Sequence, residues 1–160
     1  MTKKLLIFIP SIEDGGVEKN LFLVSNYLQA NNYSVEILTC NNDKSSNFIK
    51  GIKFIGSKNS FWQTKGRKVK YIVCLVILFF NLLSRSSKPL IFAFQANIYA
   101  ILIAKIFNIK IITRSNSAPQ GWSQNFIKNK IYEYIINLAD DVMVNSLDFK
   151  KIFKKKFNVN

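Results

Sequence analysis

The feature that most constrains the fold is the N-terminal stretch LLIFIPSIEDGGVEKNLFLV at residues 5–24. Its apolar run over residues 5–9 predicts a β-strand, which Pro10 ends. A polar loop then leads to two adjacent glycines, Gly15 and Gly16. Apolar side chains recur at positions 17, 21, 24 and 28, which is helical spacing. A strand, a loop and a helix in this order indicate the opening unit of an α/β fold.

The glycine pair at the loop-to-helix junction is a candidate binding site for phosphate or sugar oxygens. Glycine has no Cβ, so Gly15 and Gly16 would let a ligand reach the backbone N–H groups of the first helical turn. The alternative is a tight turn that needs glycine for its backbone alone. Glu18, in the first turn, either contacts that ligand or only stabilises the positive end of the helix dipole.

The rest of the chain repeats the alternation of strands and helices. Further strands are predicted over residues 34–39, 52–55, 90–94, 109–113 and 141–144, and helices over residues 67–84 and 98–107. Two C-terminal helices are predicted from apolar stripes at positions 127, 131, 134, 135 and 138 and at positions 149, 152, 153 and 157. The predicted fold class is a single α/β domain over residues 1–160, a Rossmann-like parallel sheet with helices on both faces.

Four polar loops follow directly on predicted strands, at residues 11–16, 95–97, 114–116 and 145–146. Because parallel strands all end at one edge of a sheet, we expect these loops to meet around a ligand site. Arg114 is the main anion candidate, since a guanidinium matches a phosphate with two hydrogen bonds. Its alternative role is an ion pair with Asp140 or Asp141.

Neighbouring residues complete the predicted site. Asn97 and Asn116 offer donors and acceptors to sugar hydroxyls, although asparagine is also a common turn or cap residue. Ser115 and Ser146 lie in the same loops. Trp122, in the polar loop after Arg114, is either a platform for a sugar ring or an anchor for the loop.

The charge balance points to an anionic partner. The formal net charge is +14, which suits a nucleotide-sugar, a lipid phosphate, a membrane surface or a nucleic acid. The alternative is that the many lysines only form a solvated surface. Nucleic-acid binding is not expected, because no recognised module for it is present.

Several kinds of chemistry are excluded by residue types. The chain has no histidine, and its two cysteines lack metal-type spacing, so we expect neither a metal site nor a Ser–His or Cys–His nucleophile. The glycine loop is not a GxGxxG fingerprint and no Walker motif occurs, so neither a dinucleotide cofactor nor a P-loop is indicated. The thiols fit a reduced, cytoplasmic setting.

The longest apolar stretch, residues 71–83, is shorter than the roughly 18 to 20 residues of a spanning helix. The helix over residues 67–84 is therefore either buried between layers or in contact with a membrane surface through its basic flank. The candidate membrane contacts are Trp62, Lys65, Arg67, Lys68 and Lys70.

Taken together, these segments resemble a known enzyme family. The opening KKLLIFIPSIEDGGVEKNLFLVSNYLQANNYSVEILT is similar to the start of family 4 glycosyltransferases of the two-domain GT-B fold. The segment IFAFQANIYAILIAKIFNIKIITRSN resembles the strand–helix–strand of that family with its arginine loop. LADDVMVNSLDFKKIFKKKFNV resembles a stretch near the end of its N-terminal domain.

The resemblance implies transfer of a sugar from a nucleotide-diphosphate-sugar to a cell-envelope or lipid-linked saccharide at the cytoplasmic membrane face. The nucleotide-sugar would be a co-substrate, with no further cofactor and no required metal. By the same resemblance, Gly15 and Gly16 would approach the donor diphosphate or the acceptor, and Arg114 and its neighbours would line the acceptor cleft.

One departure from the family limits this expectation. The donor nucleotide and the E-x7-E carboxylates of the family belong to a second domain, and no acidic residue follows Asp148 here. We therefore expect residues 1–160 to be the acceptor-side N-terminal domain, inactive alone and completed by a donor-binding domain in trans. The alternative is a non-catalytic membrane-surface or saccharide-binding subunit that partners a donor-binding chain.

Overall fold

A computed structural model describes residues 3–13, 15–57, 60–117 and 125–159. One six-stranded parallel sheet has the order β3-β2-β1-β4-β5-β6. The strands are β1 Lys4–Phe8, β2 Ser34–Leu38, β3 Lys53–Ile55, β4 Leu90–Ala93, β5 Ile111–Ser115 and β6 Asp141–Val144. The helices are α1 Gly16–Ala30, α2 Arg67–Leu83, α3 Asn97–Ile106, α4 Phe126–Asn137 and α5 Leu147–Phe157, with short 3-10 turns at Asn42–Asn47 and Ser60–Trp62. The predicted fold class is confirmed.

The core has two layers because successive side chains of a strand point to opposite faces of the sheet. Leu6 and Phe8 pack with Leu78 of α2 and Ile101 of α3. Leu5, Ile7 and Ile9 pack with Leu21 of α1 on the other face. The strand order reverses between β1 and β4, so the loops after these two strands diverge and leave a crevice at the carboxyl edge.

The fifth strand differs from its predicted bounds. It begins at Ile111 and runs through Ser115, so Arg114 and Ser115 belong to the strand rather than to the following loop. The reason is pairing with the next strand, which places Arg114 opposite Met143 and Ser115 opposite Val144.

The apolar stripe from which α4 was predicted is only partly buried. Ile127, Ile131 and Tyr134 are 69%, 50% and 69% exposed, whereas Ile135 and Ile136 are buried. The C-terminal half of the helix supplies the burial, because Ile135 joins the α2–α3 core and Ile136 packs on Phe153 and Phe157 of α5. Of the stripe predicted for α5, Phe153 and Phe157 are buried as expected.

No helix within the described ranges is long and apolar enough to cross a membrane. The same ranges hold no group of three or more His, Cys, Asp or Glu side chains that could bind a metal ion. In α2 one face is buried, through Cys74, Leu78 and Leu82, and the opposite face is exposed.

Candidate functional site

A cavity of about 590 Å³ opens at the carboxyl edge of the sheet. Its wall is formed by the β1–α1 loop, the β4–α3 loop, the end of β5 and the segment after it, the first turns of α2, and Tyr132 of α4. It brings together seven of the predicted site residues: Gly15, Gly16, Glu18, Asn97, Arg114, Ser115 and Asn116.

The glycine pair leaves the N-terminus of α1 open to this cavity. Gly15 has an extended backbone with φ −160°, which any residue adopts, and no atom lies within 4 Å of a Cβ built on Gly16. A Cβ on Gly15 would lie 2.9 Å from Oε2 of Glu18, the end of a flexible side chain. The backbone therefore does not require glycine here, and a glycine-dependent turn does not explain the pair. Its effect is to expose the first-turn N–H groups.

Glu18 is buried even though it carries a carboxylate. Its Oε1 lies 3.4 Å from the backbone N–H of Glu13 and accepts a hydrogen bond from it. The side chain thus folds back over the first turn of α1, a position that suits the helix dipole, while it also forms part of the cavity wall.

Hydrogen bonds hold the loops of the cavity together. Ser11 N–H donates to Oε1 of Gln95 at 3.1 Å, and Nε2 of Gln95 donates to the Ser11 carbonyl at 2.9 Å. Nδ2 of Asn97 donates to the Arg114 carbonyl at 2.8 Å. The loops after β1, β4 and β5 are thereby fixed to one another, although they are far apart in the chain.

Two amide oxygens beside the cavity are buried without a partner. Oδ1 of Asn97 and Oδ1 of Asn116 form no hydrogen bond with the part of the chain that the structure describes. Each of these side chains already donates its Nδ2 to a backbone carbonyl at 2.8 Å, that of Arg114 for Asn97 and that of Phe94 for Asn116. Buried acceptors are normally satisfied, so these oxygens are open to a hydroxyl or water donor.

Arg114 lies on the same wall, next to an amide rather than an acid. Its Nε and Nη2 donate to Oδ1 of Asn145 at 3.3 and 3.0 Å, and its guanidinium carbon lies 5.5 Å from the ring centroid of Phe94. Partial burial lowers the pKa of Arg114 from its ordinary value, yet the group remains charged. Asp140, its predicted alternative partner, instead accepts from Lys105 at 2.7 Å. Within the described ranges Arg114 has no carboxylate partner.

An ion pair at the cavity was not predicted. Arg67, expected at a membrane surface, donates to Glu13 of the β1–α1 loop, and both residues line the cavity. The hydrogen bond from Arg67 holds the pKa of Glu13 below its usual range. Tyr71, one helical turn on, also lines the cavity, and burial raises the pKa of its hydroxyl. No local pattern could indicate this pair, because its members are 54 residues apart.

Among the other predicted membrane contacts, the structure contradicts that of Lys70. Its side chain is buried, and Nζ donates to Oδ1 of Asn41 at 3.3 Å. Trp62 is half-buried and packs against the core. Lys65 lies over the ring of Phe61, with Nζ 3.9 Å from the centroid, and Lys68 is exposed.

Two serines of the predicted site have structural partners. Ser146 does not line the cavity; its Oγ caps α5 by accepting from the N–H of Phe149 at 3.2 Å. Ser115 is buried in the cavity wall, and its Oγ donates to the carbonyl of Ser117 at 3.1 Å. Trp122 lies outside the described residues.

Comparison with known proteins gives likeness in structure only. No family model and no curated protein matches the sequence. The structure is similar to a Glycyrrhiza uralensis UGT complexed with glycyrrhetinic acid 3-O-monoglucuronide, with TM-score 0.62 and 12% identity over 100% of this chain and 48% of that one. It is also similar to a Phytolacca americana UGT complexed with UDP-2fluoro-glucose and pterostilbene, with TM-score 0.54 and 12% identity over 75% of this chain and 32% of that one.

The chain thus spans about half, or less, of these structures. At 12% identity the likeness concerns the fold. The protein has the fold of the Rossmann-like half of a GT-B glycosyltransferase.

Proposed function

We propose that this chain is the acceptor-side half of a glycosyltransferase of family 4 type. In this proposal the complete enzyme transfers a sugar from a nucleotide-diphosphate-sugar to a cell-envelope or lipid-linked saccharide. The observation that carries the proposal is the cavity, where the open N-terminus of α1 lies on the same wall as Arg114, which has no carboxylate partner within the described residues. The similarity of the fold to that half of GT-B enzymes supports it.

The chemistry of the cavity suits a phosphorylated sugar compound. The first-turn N–H groups behind Gly16 and the guanidinium of Arg114 attract phosphate oxygens. The Oδ1 atoms of Asn97 and Asn116, which have no partner among the described residues, can accept from hydroxyl groups. Groups that donate hydrogen bonds to phosphate therefore lie beside groups that accept hydrogen bonds from hydroxyls. A sugar phosphate makes both kinds of contact.

The acidic groups of the cavity support the expectation that the chain does not catalyse transfer alone. Glu13 is paired with Arg67, and Glu18 accepts a backbone hydrogen bond. Glu13 is therefore engaged by a guanidinium, and the chain has no histidine to act as a general base. In this proposal a donor-binding domain, in the same chain or in trans, supplies the remaining groups.

Titration with inorganic pyrophosphate, followed by amide chemical shifts, tests the binding site. We expect saturable shifts at Gly16, Asn97 and Arg114, with a Kd on the order of millimolar because one half-site contributes. Arg114→Ala should weaken binding by about tenfold, since one charge-assisted contact is lost. Shifts spread over surface lysines and unchanged in Arg114→Ala would refute the proposed site.

An activity assay tests the remaining part of the proposal. Purified chain with UDP-glucose and a bacterial lipid extract should give no transfer above the protein-free rate. Adding a separately produced GT-B donor-binding domain should produce transfer that Arg114→Ala reduces. Robust turnover by the chain alone would contradict the half-enzyme proposal.

A second proposal, docking on an anionic membrane surface, is favoured by the exposed surface of three helices. Helices α2, α3 and α4 lie on one face of the sheet, and α3 packs against both neighbours. Their outer surface, here called the α2–α4 face, exposes Ile72, Val76, Phe80, Leu83, Tyr99, Leu102, Ile106, Ile127, Ile131 and Tyr134. An apolar surface of this extent commonly marks an interaction site.

The lysines beside the α2–α4 face indicate that its partner is anionic. Lys68, Lys88 and Lys128 are exposed on or beside these helices, and the whole chain carries +14. Apolar side chains with flanking lysines bind the interface of a bilayer that contains anionic lipids. This surface replaces Lys70 and Trp62 as the proposed membrane contact.

Flotation with phosphatidylcholine vesicles, with and without phosphatidylglycerol, tests this second proposal. We expect the chain to float only with the anionic vesicles, and Ile72→Ser with Phe80→Ser to abolish flotation. The matched control is Leu23→Ser with Tyr27→Ser on α1, which is equally exposed but lies on the opposite face of the sheet. Equal loss in both double variants, or self-association without lipid binding, would contradict the proposal.

A further inference from the structure

The two cysteines of the chain lie against each other beneath the cavity. Cys40 follows β2 and Cys74 lies in α2, and their Sγ atoms are 3.3 Å apart. Both side chains are fully buried. They are 34 residues apart in sequence, so the fold rather than local chain geometry creates the contact.

Backbone carbonyl groups next to both cysteines hold the two thiols in position. Cys40 N–H donates to the Pro10 carbonyl at 3.1 Å, and the Cys74 thiol lies 3.9 Å from the same oxygen. The Cys40 thiol lies 3.8 Å from the carbonyl of Lys70, one turn before Cys74 in α2. The thiol hydrogen bond from Cys74, together with the nearby Lys70 ammonium, lowers the pKa of Cys40 despite its burial. The same contact and burial raise the pKa of Cys74.

We propose that Cys40 and Cys74 form a reversible intramolecular disulfide that fixes α2 to the end of β2. The oxidant is a small-molecule disulfide such as glutathione disulfide. The Cys40 thiolate attacks one sulfur of the oxidant, and a mixed disulfide forms as the first glutathione thiolate leaves. Cys74, after losing its proton, attacks Cys40 Sγ and releases the second glutathione. Two protein thiols are oxidised and one glutathione disulfide is reduced to two thiols.

The bridge would act on the cavity described above, without depending on the function proposed for it. Arg67 and Tyr71 lie on the first turns of α2, about two turns and one turn before Cys74, and both line the cavity. Pro10, which both cysteines contact, begins the loop that carries Glu13. Cross-linking Cys40 to Cys74 therefore ties α2, which carries Arg67, to the end of β2, beside Pro10 of the loop that carries Glu13.

Equilibration in glutathione buffers tests the proposal independently of the rate at which the oxidant reaches the buried thiols. The chain is equilibrated folded and in urea, acid-quenched and alkylated, and the bridged form is identified in intact mass spectra by the loss of two hydrogen atoms. The folded chain should be half bridged at an oxidant level about tenfold or more below that needed in urea. The oxidised chain should melt higher by on the order of 5–10 °C, and a reductant should reverse the shift.

Single variants separate the bridge from other oxidation products. Cys40→Ser and Cys74→Ser should give at most a mixed glutathione adduct and no rise in Tm on oxidation. A folded wild-type chain that needs as much oxidant as the unfolded chain would overturn the proposal, as would a stable glutathione adduct in place of the bridge. Should either serine variant fail to fold, the comparison of folded and urea-unfolded wild type still decides.

Discussion

The guanidinium of Arg114 is held by the side-chain amide of Asn145, with both hydrogen bonds directed to the same Oδ1. An amide oxygen orients a guanidinium without neutralising it. The charge of Arg114 therefore remains available at the cavity wall, where a carboxylate partner would have compensated it.

Asn145→Asp should weaken anion binding, and it also removes the Nδ2 donor that lies 3.4 Å from the Asn116 carbonyl. The new carboxylate would pair with Arg114 and offset its charge, so the Kd for inorganic pyrophosphate should rise by about tenfold. Asn108→Asp is the matched control. Asn108 lies before β5, at the amino end of the parallel strands, and this substitution changes the net charge by the same amount. Equal weakening in both variants would show that only the total charge matters.

Gly16→Ala should separate binding from stability. Nothing lies within 4 Å of a Cβ at Gly16, so the folded state tolerates the methyl group, and alanine favours the helix by up to about 1 kcal/mol. The methyl group would project where a ligand approaches the first-turn N–H groups, and pyrophosphate affinity should fall several-fold. Gly66→Ala, at the N-cap of α2 with equal free space, should leave pyrophosphate affinity unchanged and slightly lower stability, since alanine is a poorer N-cap than glycine. Unchanged affinity in Gly16→Ala would place the ligand elsewhere.

Ala96, the N-cap of α3, has a left-handed backbone with φ 51° and ψ 35°. This conformation costs an alanine roughly 1 kcal/mol and a β-branched residue more. Ala96→Gly should therefore retain or raise the free energy of unfolding, by up to about 1 kcal/mol, whereas Ala96→Val should lower it by more than about 1 kcal/mol. Urea denaturation measures both. Equal destabilisation by glycine and valine would mean that the methyl group, not the backbone, matters here.

Asp140 should contribute stability that depends on pH. Burial alone would raise its pKa, but hydrogen bonds from Lys105 and the Ile111 N–H outweigh burial and lower the pKa from its ordinary value of 3.8. Because the folded-state pKa is depressed, the contribution is present above that ordinary value and disappears as pH falls through the folded-state pKa.

Asp140→Asn should cost about 1 kcal/mol at pH 6, a modest figure because the carboxylate is about one-third exposed. The difference in unfolding free energy between variant and wild type should shrink below pH 4. Thermal denaturation between pH 6 and pH 3 measures it. A difference that stays constant over this range would rule out the charged form of Asp140 as its source.

The fold could be predicted from the sequence because the signals for its strands and helices are local. The apolar run before Pro10, the glycine pair and the helical spacing after it each act within a few residues. The rule that parallel strands end at one edge then placed Gly16, Asn97 and Arg114 together. The predicted end of β5 was wrong because pairing with β6, which places Ser115 opposite Val144, extends the strand.

Local signals in the sequence thus establish the order of strands and helices, the parallel sheet, and the edge where polar loops collect. The packing of the elements, by contrast, sets which partner each long side chain takes: Arg67 with Glu13, Arg114 with Asn145, Lys70 inward to Asn41, and Cys40 with Cys74. It also sets which face of α4 is covered: Ile135 and Ile136 are buried, whereas Ile131 is half-exposed. Backbone conformation and apolar periodicity depend on residues within one element. Ion pairs, thiol contacts and burial depend instead on which elements, distant in sequence, the chain brings together.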